Sequence, residues 1–230
     1  MIFFIYVCTL FKKEMNHILI VICAYLLGSI PSAVWIGKMI KGVDVRDFGS
    51  KNAGATNMMR VLGVKIGIPV LFIDVFKGFA AVKLAFLSPV LEPGTNPFVT
   101  FQIGLGAAAV IGHVFPIFAG FRGGKGVATV LGLLLALHWP ATLVAIVVFL
   151  ITLFISKYVS LGSLLMGLSF PVTVIFVFNK YYNTCISLEI FSIVVCIMLF
   201  ITHRKNIYRL LKGNENKATF LFKKKSPSSE

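Results

Sequence analysis

A loop of small, amide and hydroxyl residues ends in an arginine and directly follows a long apolar stretch. Residues 49–60 read GSKNAGATNMMR. Glycine and alanine let backbone N–H groups approach a ligand, serine, threonine and asparagine add neutral donors, and the planar guanidinium of Arg60 can bind two phosphate oxygens. This composition favours an anion-binding site, and an ordinary polar loop with a helix cap is the alternative.

A second loop joins two cations to flexible backbone just before an apolar stretch. It spans residues 112–129, and its centre reads Arg122-Gly123-Gly124-Lys125-Gly126. A phosphate here would meet two positive side chains, flexible glycine backbone and the N-terminus of a helix. The loop is not a nucleotide-binding P-loop, because that motif has serine or threonine after its lysine. The alternative is a glycine turn beside basic residues that only set membrane topology.

Two further polar segments have related chemistry. Residues 156–163 contain Ser160 and Ser163, whose hydroxyls can donate to a ligand or cap a helix. Residues 203–206 end the last apolar stretch and contain His203 and Asn206. A histidine titrates near neutral pH and can accept a proton, although a single interfacial histidine is also a common structural residue.

The elements that must position these loops are membrane helices. The chain of 230 residues is 58% hydrophobic and 13% charged, and its mean hydropathy is +0.93, so a water-soluble domain would lack polar surface to cover its core. A membrane-spanning helix needs about 17–25 apolar residues. The sequence therefore predicts an all-α polytopic membrane protein, with apolar stretches at about 17–37, 66–87, 98–118, 127–155, 161–178 and 185–202.

Basic residues predict the orientation of these helices. Seventeen of the 22 lysines and arginines lie at 38–65, at 122–125, at Lys157 and after His203. If these places share the cytoplasmic side, residues 127–155 must cross twice, and His138-Trp139-Pro140 supplies the break because proline disfavours helical geometry in the residue before it. We expect about seven transmembrane helices, with the N-terminus outside and the C-terminus cytoplasmic. The net charge of +14 then reports topology rather than nucleic-acid binding.

Both ends of the chain are expected to differ from this membrane domain. Residues 1–14 would place Lys12 and Lys13 on the wrong side, so we interpret them as an N-terminal extension, with an extra membrane-associated segment as the alternative. Residues 15–213 form the expected membrane domain. Residues 214–230 are expected to be a basic, disordered cytoplasmic tail that binds anionic lipid headgroups.

Two charges lie inside the second apolar stretch. Asp74 and Lys77 are spaced i, i+3, so they can pair across one helical turn. Charges at membrane depth usually mark a protein interior or a pathway. We predict a structural ion pair, with a substrate contact as the alternative.

Taken together, the four loop segments resemble the bacterial acyl-phosphate-dependent glycerol-3-phosphate acyltransferase family, often called PlsY. The resemblance covers residues 15–213 and includes Gly28-Ser29-Ile30-Pro31. It implies a seven-helix enzyme of the bacterial cytoplasmic membrane whose active site faces the cytoplasm. The implied reaction transfers a fatty acyl group from acyl phosphate to the sn-1 hydroxyl of glycerol 3-phosphate, giving 1-acylglycerol 3-phosphate (lysophosphatidate) and phosphate, the first step of phospholipid synthesis.

The resemblance also implies roles for individual residues. The catalytic residues would be Lys125, His203, Ser160 and Arg60. The residues that bind the phosphates would be Ser50, Asn52, Thr56, Asn57, Arg60, Gly123, Gly124, Ser163 and Asn206. The family usually has Ser-Gly-Asn where this chain has Ser50-Lys51-Asn52, so a lysine stands where glycine would adopt a positive φ freely.

The chemistry of an acyl phosphate fits these residues. This mixed anhydride has a good leaving group, so acyl transfer needs no enzyme nucleophile, and we expect neither a metal nor a cofactor. The remaining tasks are to bind two phosphates, orient the glycerol hydroxyl, stabilise the oxyanion and remove one proton. Either His203 or a substrate phosphate oxygen can accept that proton, and we favour the phosphate.

Other functions are less consistent with the sequence. Thioester-dependent glycerolipid acyltransferases have an aspartate five residues after a histidine, and no histidine of this chain has one there. A metal-dependent phosphotransferase would need several aspartates for its metals, and this chain has only three. The main alternative is a membrane transporter of a phosphorylated organic anion, whose cations would lie at the midplane, often between repeated halves. Here the cations gather at one face. The expected partners are the two substrates and membrane lipids, without nucleic acid, and the sequence does not indicate an oligomeric state.

Overall fold

Helices and the loops that connect them make up the residues that the structure describes. This computed structural model describes residues 2–178 and 185–218, with side chains from residue 15 onward. Within these ranges there is no β-strand, which confirms the predicted all-α fold. The helices are α1 (Ile2–Gly28), α2 (Ser32–Lys41), α3 (Ala55–Leu62), α4 (Val64–Lys83), α5 (Asn96–Val114), α6 (Val127–Leu137), α7 (Trp139–Ser156), α8 (Val159–Val172), α9 (Ile186–Thr202) and α10 (Arg204–Leu211).

Several of these helices are long and apolar enough to cross a membrane. Four such segments are Met15–Lys41, Asn96–Ala119, Trp139–Ser156 and Val159–Phe178, and the bent pair α9 and α10 adds a fifth if it is one span. Helix α4 has enough residues but carries four charged side chains, and α6 is apolar but has only 11 residues. The membrane class is therefore confirmed, whereas the count of seven crossings and the orientation stay predictions.

The predicted break within residues 127–155 is confirmed. Helix α6 ends at Leu137, and α7 begins at Trp139. His138 lies between them in a non-helical conformation, and its ring accepts a hydrogen bond from the backbone N–H of Ala141 at 3.2 Å. The cap marks the start of α7, so the 29-residue apolar stretch forms two helices. At the other end of the chain, residues 2–14 form the first half of α1.

Close helix packing positions α6 against α4. A Cβ atom added at Gly132 would lie 1.8 Å from the carbonyl oxygen of Val75, and one added at Gly78 would lie 2.1 Å from that of Thr129. Only glycine permits this backbone approach, because any larger residue would push the helices apart. Helix α6 begins two residues after Lys125, so the contact with α4 also fixes the position of Lys125.

A buried cluster of charged side chains ties α4 to the ends of α1 and α5. Asp74 and Lys77 form the predicted ion pair at 2.9 Å. Ser32 donates a hydrogen bond to Asp74 at 2.7 Å, and Lys77 donates to the carbonyl oxygen of Ile30 at 2.9 Å, next to the break between α1 and α2. His113, near the end of α5, lies 3.6 Å from Asp74. The cluster therefore anchors the first residues of the second loop.

Candidate active site

One cleft brings the four predicted loop segments together. It has a volume of about 610 Å³ and lies where α3, α6, α8 and α10 begin. Gly123 and Gly124 line a small neighbouring pocket, and His113 contributes to both spaces. The predicted site residues that line the cleft itself are Ser50, Asn52, Thr56, Asn57, Arg60, Lys125, Ser160, Ser163, His203 and Asn206.

Four helix N-termini meet at this cleft. The first N–H groups of a helix have no partner within the helix, and the helix dipole adds partial positive charge there. No side chain of the described residues caps any of these four N-termini. Backbone donors of the first helical turns are therefore available to an anion in the cleft. The first-turn residues that line it are Ala55, Thr56, Asn57, Val127, Ala128, Val159, Ser160, Lys205 and Asn206.

Two cations from different loops reach the cleft. Arg60 lies in the last turn of α3, and Lys125 precedes α6 and donates a hydrogen bond to the side-chain oxygen of Asn206. Burial lowers the pKa of Arg60, and burial together with the charge of Arg209 lowers the pKa of Lys125. Neighbouring positive charge and lost hydration both destabilise the charged form of these side chains. A bound anion would therefore stabilise their charged forms.

Glu215 connects three of the cleft's polar side chains, and the sequence analysis missed it. One carboxylate oxygen accepts hydrogen bonds from Ser160 at 2.9 Å and Asn206 at 2.8 Å, and the other accepts from Arg209 at 2.7 Å. The Glu215 side chain is only 6% exposed. Burial alone would raise its pKa, but these three hydrogen bonds outweigh burial and lower the pKa below the ordinary value.

Residues just beyond the boundary expected at residue 213 also contact the cleft. Ala218 is buried, and its backbone N–H donates to the carbonyl oxygen of Lys157 at 2.8 Å. Residues 214–218 therefore pack against the start of α8 and form part of the cleft. The rest of the expected tail, residues 219–230, lies outside the described residues.

His203 has a defined tautomer when it is neutral. Its Nδ1 lies 2.9 Å from the carbonyl oxygen of Leu199. A carbonyl oxygen can only accept, so Nδ1 carries the hydrogen and Nε2 keeps its lone pair. Burial and the charge of Lys125 lower the pKa of His203, so the imidazole is neutral at pH 7. A neutral His203 can accept a hydrogen bond from a substrate hydroxyl.

Asn57 shapes the first loop, although the resemblance had implied that it binds phosphate. Its amide nitrogen donates to the carbonyl oxygens of Val45 at 2.9 Å and Phe48 at 3.1 Å, and its oxygen accepts from the N–H of Ser50 at 2.8 Å. The side chain is almost fully buried. Both amide hydrogens are engaged, which leaves Asn57 to hold the loop in shape beside the ligand.

Lys51 occupies a left-handed backbone conformation. Its φ is +58°, the region that glycine adopts without strain. The side chain is exposed and does not line the cleft. Lysine therefore stands where glycine would adopt the same φ without strain, and the lysine does not line the cleft.

Replacing Lys51 with glycine is expected to stabilise the protein. The left-handed conformation costs an L-residue about 1–2 kcal/mol, which the glycine variant would not lose. The greater flexibility of glycine in the unfolded chain offsets about 0.5–1 kcal/mol of this stabilisation. We expect Lys51→Gly to raise the thermal unfolding midpoint in detergent and to leave activity unchanged. Lys51→Ala removes the same charge but retains the strain, so it is the matched control. An equal rise in both variants would show that charge, not φ, is responsible.

The fold and the cleft together define a polytopic membrane protein with a cationic pocket at one end of its helices. The sequence profile described as glycerol-3-phosphate acyltransferase matches residues 18–213. Since this match covers most of the chain, the protein belongs to the glycerol-3-phosphate acyltransferase family.

Individual relatives and solved structures agree with this assignment. The chain is 42% identical to a glycerol-3-phosphate acyltransferase of Chlorobium chlorochromatii over 226 residues, 87% of this chain and 96% of that protein. It is also 42% identical to one of Fusobacterium nucleatum over 200 residues, 87% of this chain and 97% of that protein. It is similar to a crystal structure of PlsY, an integral membrane glycerol 3-phosphate acyltransferase, in its glycerol 3-phosphate form. The TM-score is 0.76 at 38% identity, covering 87% of this chain and 94% of that one. The lysophosphatidic acid form has a TM-score of 0.75 at 37% identity, covering 90% and 99%.

Proposed function

We propose that this protein transfers a fatty acyl group from acyl phosphate to the sn-1 hydroxyl of glycerol 3-phosphate at the cytoplasmic face of a bacterial membrane. The products are 1-acylglycerol 3-phosphate and inorganic phosphate. Family membership supports the acceptor, and related structures are described as glycerol 3-phosphate and lysophosphatidic acid forms. The acyl-phosphate donor is supported by the chemistry of the cleft.

The observation that carries the proposal is the pairing of cationic and apolar walls in one cleft. Arg60, Lys125 and the backbone N–H groups of the four helix N-termini form its polar wall. An amphipathic acyl phosphate needs this combination, because its phosphate requires cations and its chain requires a surface continuous with lipid. The apolar wall comes from helices α4, α6, α7 and α8 and consists of Leu71, Leu131, Ile146, Phe149, Leu150, Leu153 and Met166.

The reaction follows from how the polar side chains would hold the two substrates. The glycerol hydroxyl attacks the carbonyl carbon of the acyl phosphate, and the negative charge moves to the carbonyl oxygen. Lys125 stabilises this oxyanion. The N–H groups of Gly123 and Gly124, which the resemblance implied as phosphate donors, already donate to the carbonyl oxygens of Val114 at 3.1 Å and His113 at 3.2 Å and hold the loop instead. The tetrahedral intermediate collapses, the C–O bond to phosphate breaks, and phosphate leaves with the electron pair. Arg60, Ser50, Asn52 and Thr56 hold one phosphate, while Ser160, Ser163 and Asn206 complete the polar wall.

The hydroxyl proton goes to a substrate phosphate oxygen, and His203 orients the hydroxyl through Nε2. A phosphate monoester has a second pKa of about 6, so it is largely a dianion at pH 7 and can accept a proton. His203 is neutral at that pH and lies among donors that hold the phosphates. In this assignment His203 only orients the glycerol hydroxyl, and the substrate phosphate accepts its proton.

His203→Gln is expected to retain activity within about tenfold, because glutamine keeps a hydrogen-bond acceptor but cannot act as a base, and general-base catalysis typically contributes about 10²–10⁴-fold. The pH dependence of kcat gives an independent measurement. An acid limb near the phosphate pKa of about 6 should persist in the variant. Loss of this limb together with a 100-fold lower kcat would identify His203 as the base.

Reconstituted protein tests the proposed reaction. Purified protein in liposomes receives a long-chain acyl phosphate and radiolabelled glycerol 3-phosphate, and lysophosphatidate is separated by thin-layer chromatography. We expect product with acyl phosphate and none with the matching acyl-CoA. Uptake of labelled glycerol 3-phosphate into the vesicles without acylation would instead support the transporter. Product formed only from acyl-CoA would overturn the proposed donor.

A further inference from the structure

A short turn next to the first loop carries an arginine that contacts the second loop. The turn is Val45–Asp47, and Arg46 is its central residue. One terminal nitrogen of the Arg46 guanidinium donates to the carbonyl oxygen of Ala119 at 2.8 Å and to that of Arg122 at 3.0 Å. These carbonyl groups flank the bend that leads into the glycines before Lys125. Arg46 therefore holds the backbone of the second loop directly.

The same turn also holds the first loop. The backbone oxygen of Val45, a fully buried residue, accepts the hydrogen bond from Asn57 described above. Asn57 in turn fixes the N–H of Ser50. The two loops therefore meet at adjacent residues of one turn: Val45 contacts the first through its backbone, and Arg46 contacts the second through its side chain.

Asp44 fixes the direction of the Arg46 side chain. Its two carboxylate oxygens accept from Nε at 2.9 Å and from the other terminal nitrogen at 2.7 Å, a bidentate pair. The hydrogen bond from Arg46 lowers the pKa of Asp44 to about 2, and the carboxylate raises the pKa of Arg46. The folded pKa of Asp44 is depressed, so the pair is fully present above its ordinary value of 3.8 and is lost only as the pH falls through about 2.

Arg46 is not placed to bind substrate. It does not line the cleft, and its guanidinium already makes four hydrogen bonds to the carboxylate and the two carbonyls. The Asp44 carboxylate balances its charge and raises the pKa of Arg46, whereas burial lowers the pKa values of Arg60 and Lys125 in the cleft. Four of its five N–H donors are engaged, so a bidentate phosphate contact would require breaking at least one of these hydrogen bonds.

We infer that Arg46 is a positioning residue that sets the spacing between the two anion-binding loops, and thereby between the two reacting substrates. The inference rests on the proposed function, in which the first loop holds a substrate phosphate and Lys125 of the second loop stabilises the oxyanion. Each loop keeps its own donors without Arg46, so substrate binding is less affected than the alignment of the hydroxyl with the carbonyl carbon. Lysine cannot replace arginine, because one ammonium lacks the planar fork that reaches a carboxylate and two carbonyls together.

Kinetics of Arg46 variants test this role. We expect Arg46→Ala and Arg46→Lys to lower kcat about 10–100-fold with KM values changed less than about threefold, since a displacement of about 1 Å can cost 100-fold in rate. Guanidinium ions at concentrations that leave the unfolding midpoint unchanged should partly restore Arg46→Ala, and ammonium should not. Lys38→Gln is the matched control, because Lys38 is exposed and lies 3.6 Å from the same Asp44 carboxylate; it should retain wild-type kcat.

A distance measurement tests the same role without activity. Spin labels at Lys51→Cys and Phe121→Cys, in protein whose four native cysteines are replaced, report the separation of the two loops, since both sites are exposed. We expect a narrow distribution that broadens in Arg46→Ala and in Arg46→Lys, and stays narrow in Lys38→Gln. An unchanged distribution, or wild-type kcat in Arg46→Lys, would overturn the inference. Absence of acyl-phosphate turnover in the wild type would instead count against the proposed function, and the distances would still test the link between the loops.

Discussion

Lys125→Ala is expected to lower kcat/KM for acyl transfer by at least about 10²–10³-fold, the usual loss when one donor to an oxyanion is removed. Lys125 lies in the cleft between the glycine backbone and Asn206, and it precedes an uncapped helix N-terminus. Its charge would stabilise the developing negative charge more strongly than the neutral substrate carbonyl. The measurement is steady-state acylation of radiolabelled glycerol 3-phosphate by protein reconstituted at equal amounts.

The Lys125 experiment has a matched control. Lys41→Ala removes a lysine from the end of α2, where the residue is exposed and does not line the cleft. It should insert into membranes and turn over substrate like the wild type. Lys125→Arg keeps the charge but changes its shape, so partial recovery in that variant would support an electrostatic role. Full activity of Lys125→Ala would refute the placement of Lys125 at the reacting groups.

Glu215→Ala is expected to lower kcat/KM about 100-fold, because it removes the acceptor that aligns Ser160, Asn206 and Arg209, and small displacements of such groups are costly. Glu215→Gln separates charge from shape. Its oxygen can still accept from Ser160 and Asn206, but its amide group faces the Arg209 donor. We expect that variant to lose about 2 kcal/mol of stability, the typical contribution of a hydrogen bond to a charged group.

The pH dependence of stability provides a check on Glu215. Its folded pKa is lowered, so its contribution is present above the ordinary value of 4.5 and is lost as the pH falls through the lower folded pKa. The wild type should therefore lose more stability on acidification than Glu215→Gln does. Glu92→Gln, at an exposed acid in the linker after α4, should behave like the wild type. Identical acid sensitivity in the wild type and Glu215→Gln would contradict the role of this carboxylate.

The helical fold and much of the cleft follow from local sequence. Hydropathy identifies membrane helices because lipid requires continuous apolar stretches, and proline at position 140 marks the break after α6. The i, i+3 spacing of Asp74 and Lys77 predicted an ion pair that the structure contains. Ser50, Arg60, Lys125 and the other polar loop residues were recognisable because their types suit anions.

Contacts between distant segments could not be read in the same way. Asn57 has the residue type of a ligand donor, but its partners are set by the fold of residues 45–50. Glu215 lies within a basic segment with few apolar residues, which is typical of a disordered tail. One local signal was available: Asn206 and Arg209 share a face of α10 at i, i+3 spacing, which marks that helix as facing the site.

The four helix N-termini without side-chain caps affect how the site responds to single substitutions and to changes in loop length. Their N–H donors belong to the main chain, so replacement of one side chain after another leaves them in place, and they do not titrate between acid and neutral pH. Single alanine variants should therefore retain a residual affinity for phosphate that no side chain accounts for. Insertions or deletions of one residue just before α3, α6, α8 or α10 would rotate these donors away, so natural length changes are expected in the connections at the opposite end of the helices.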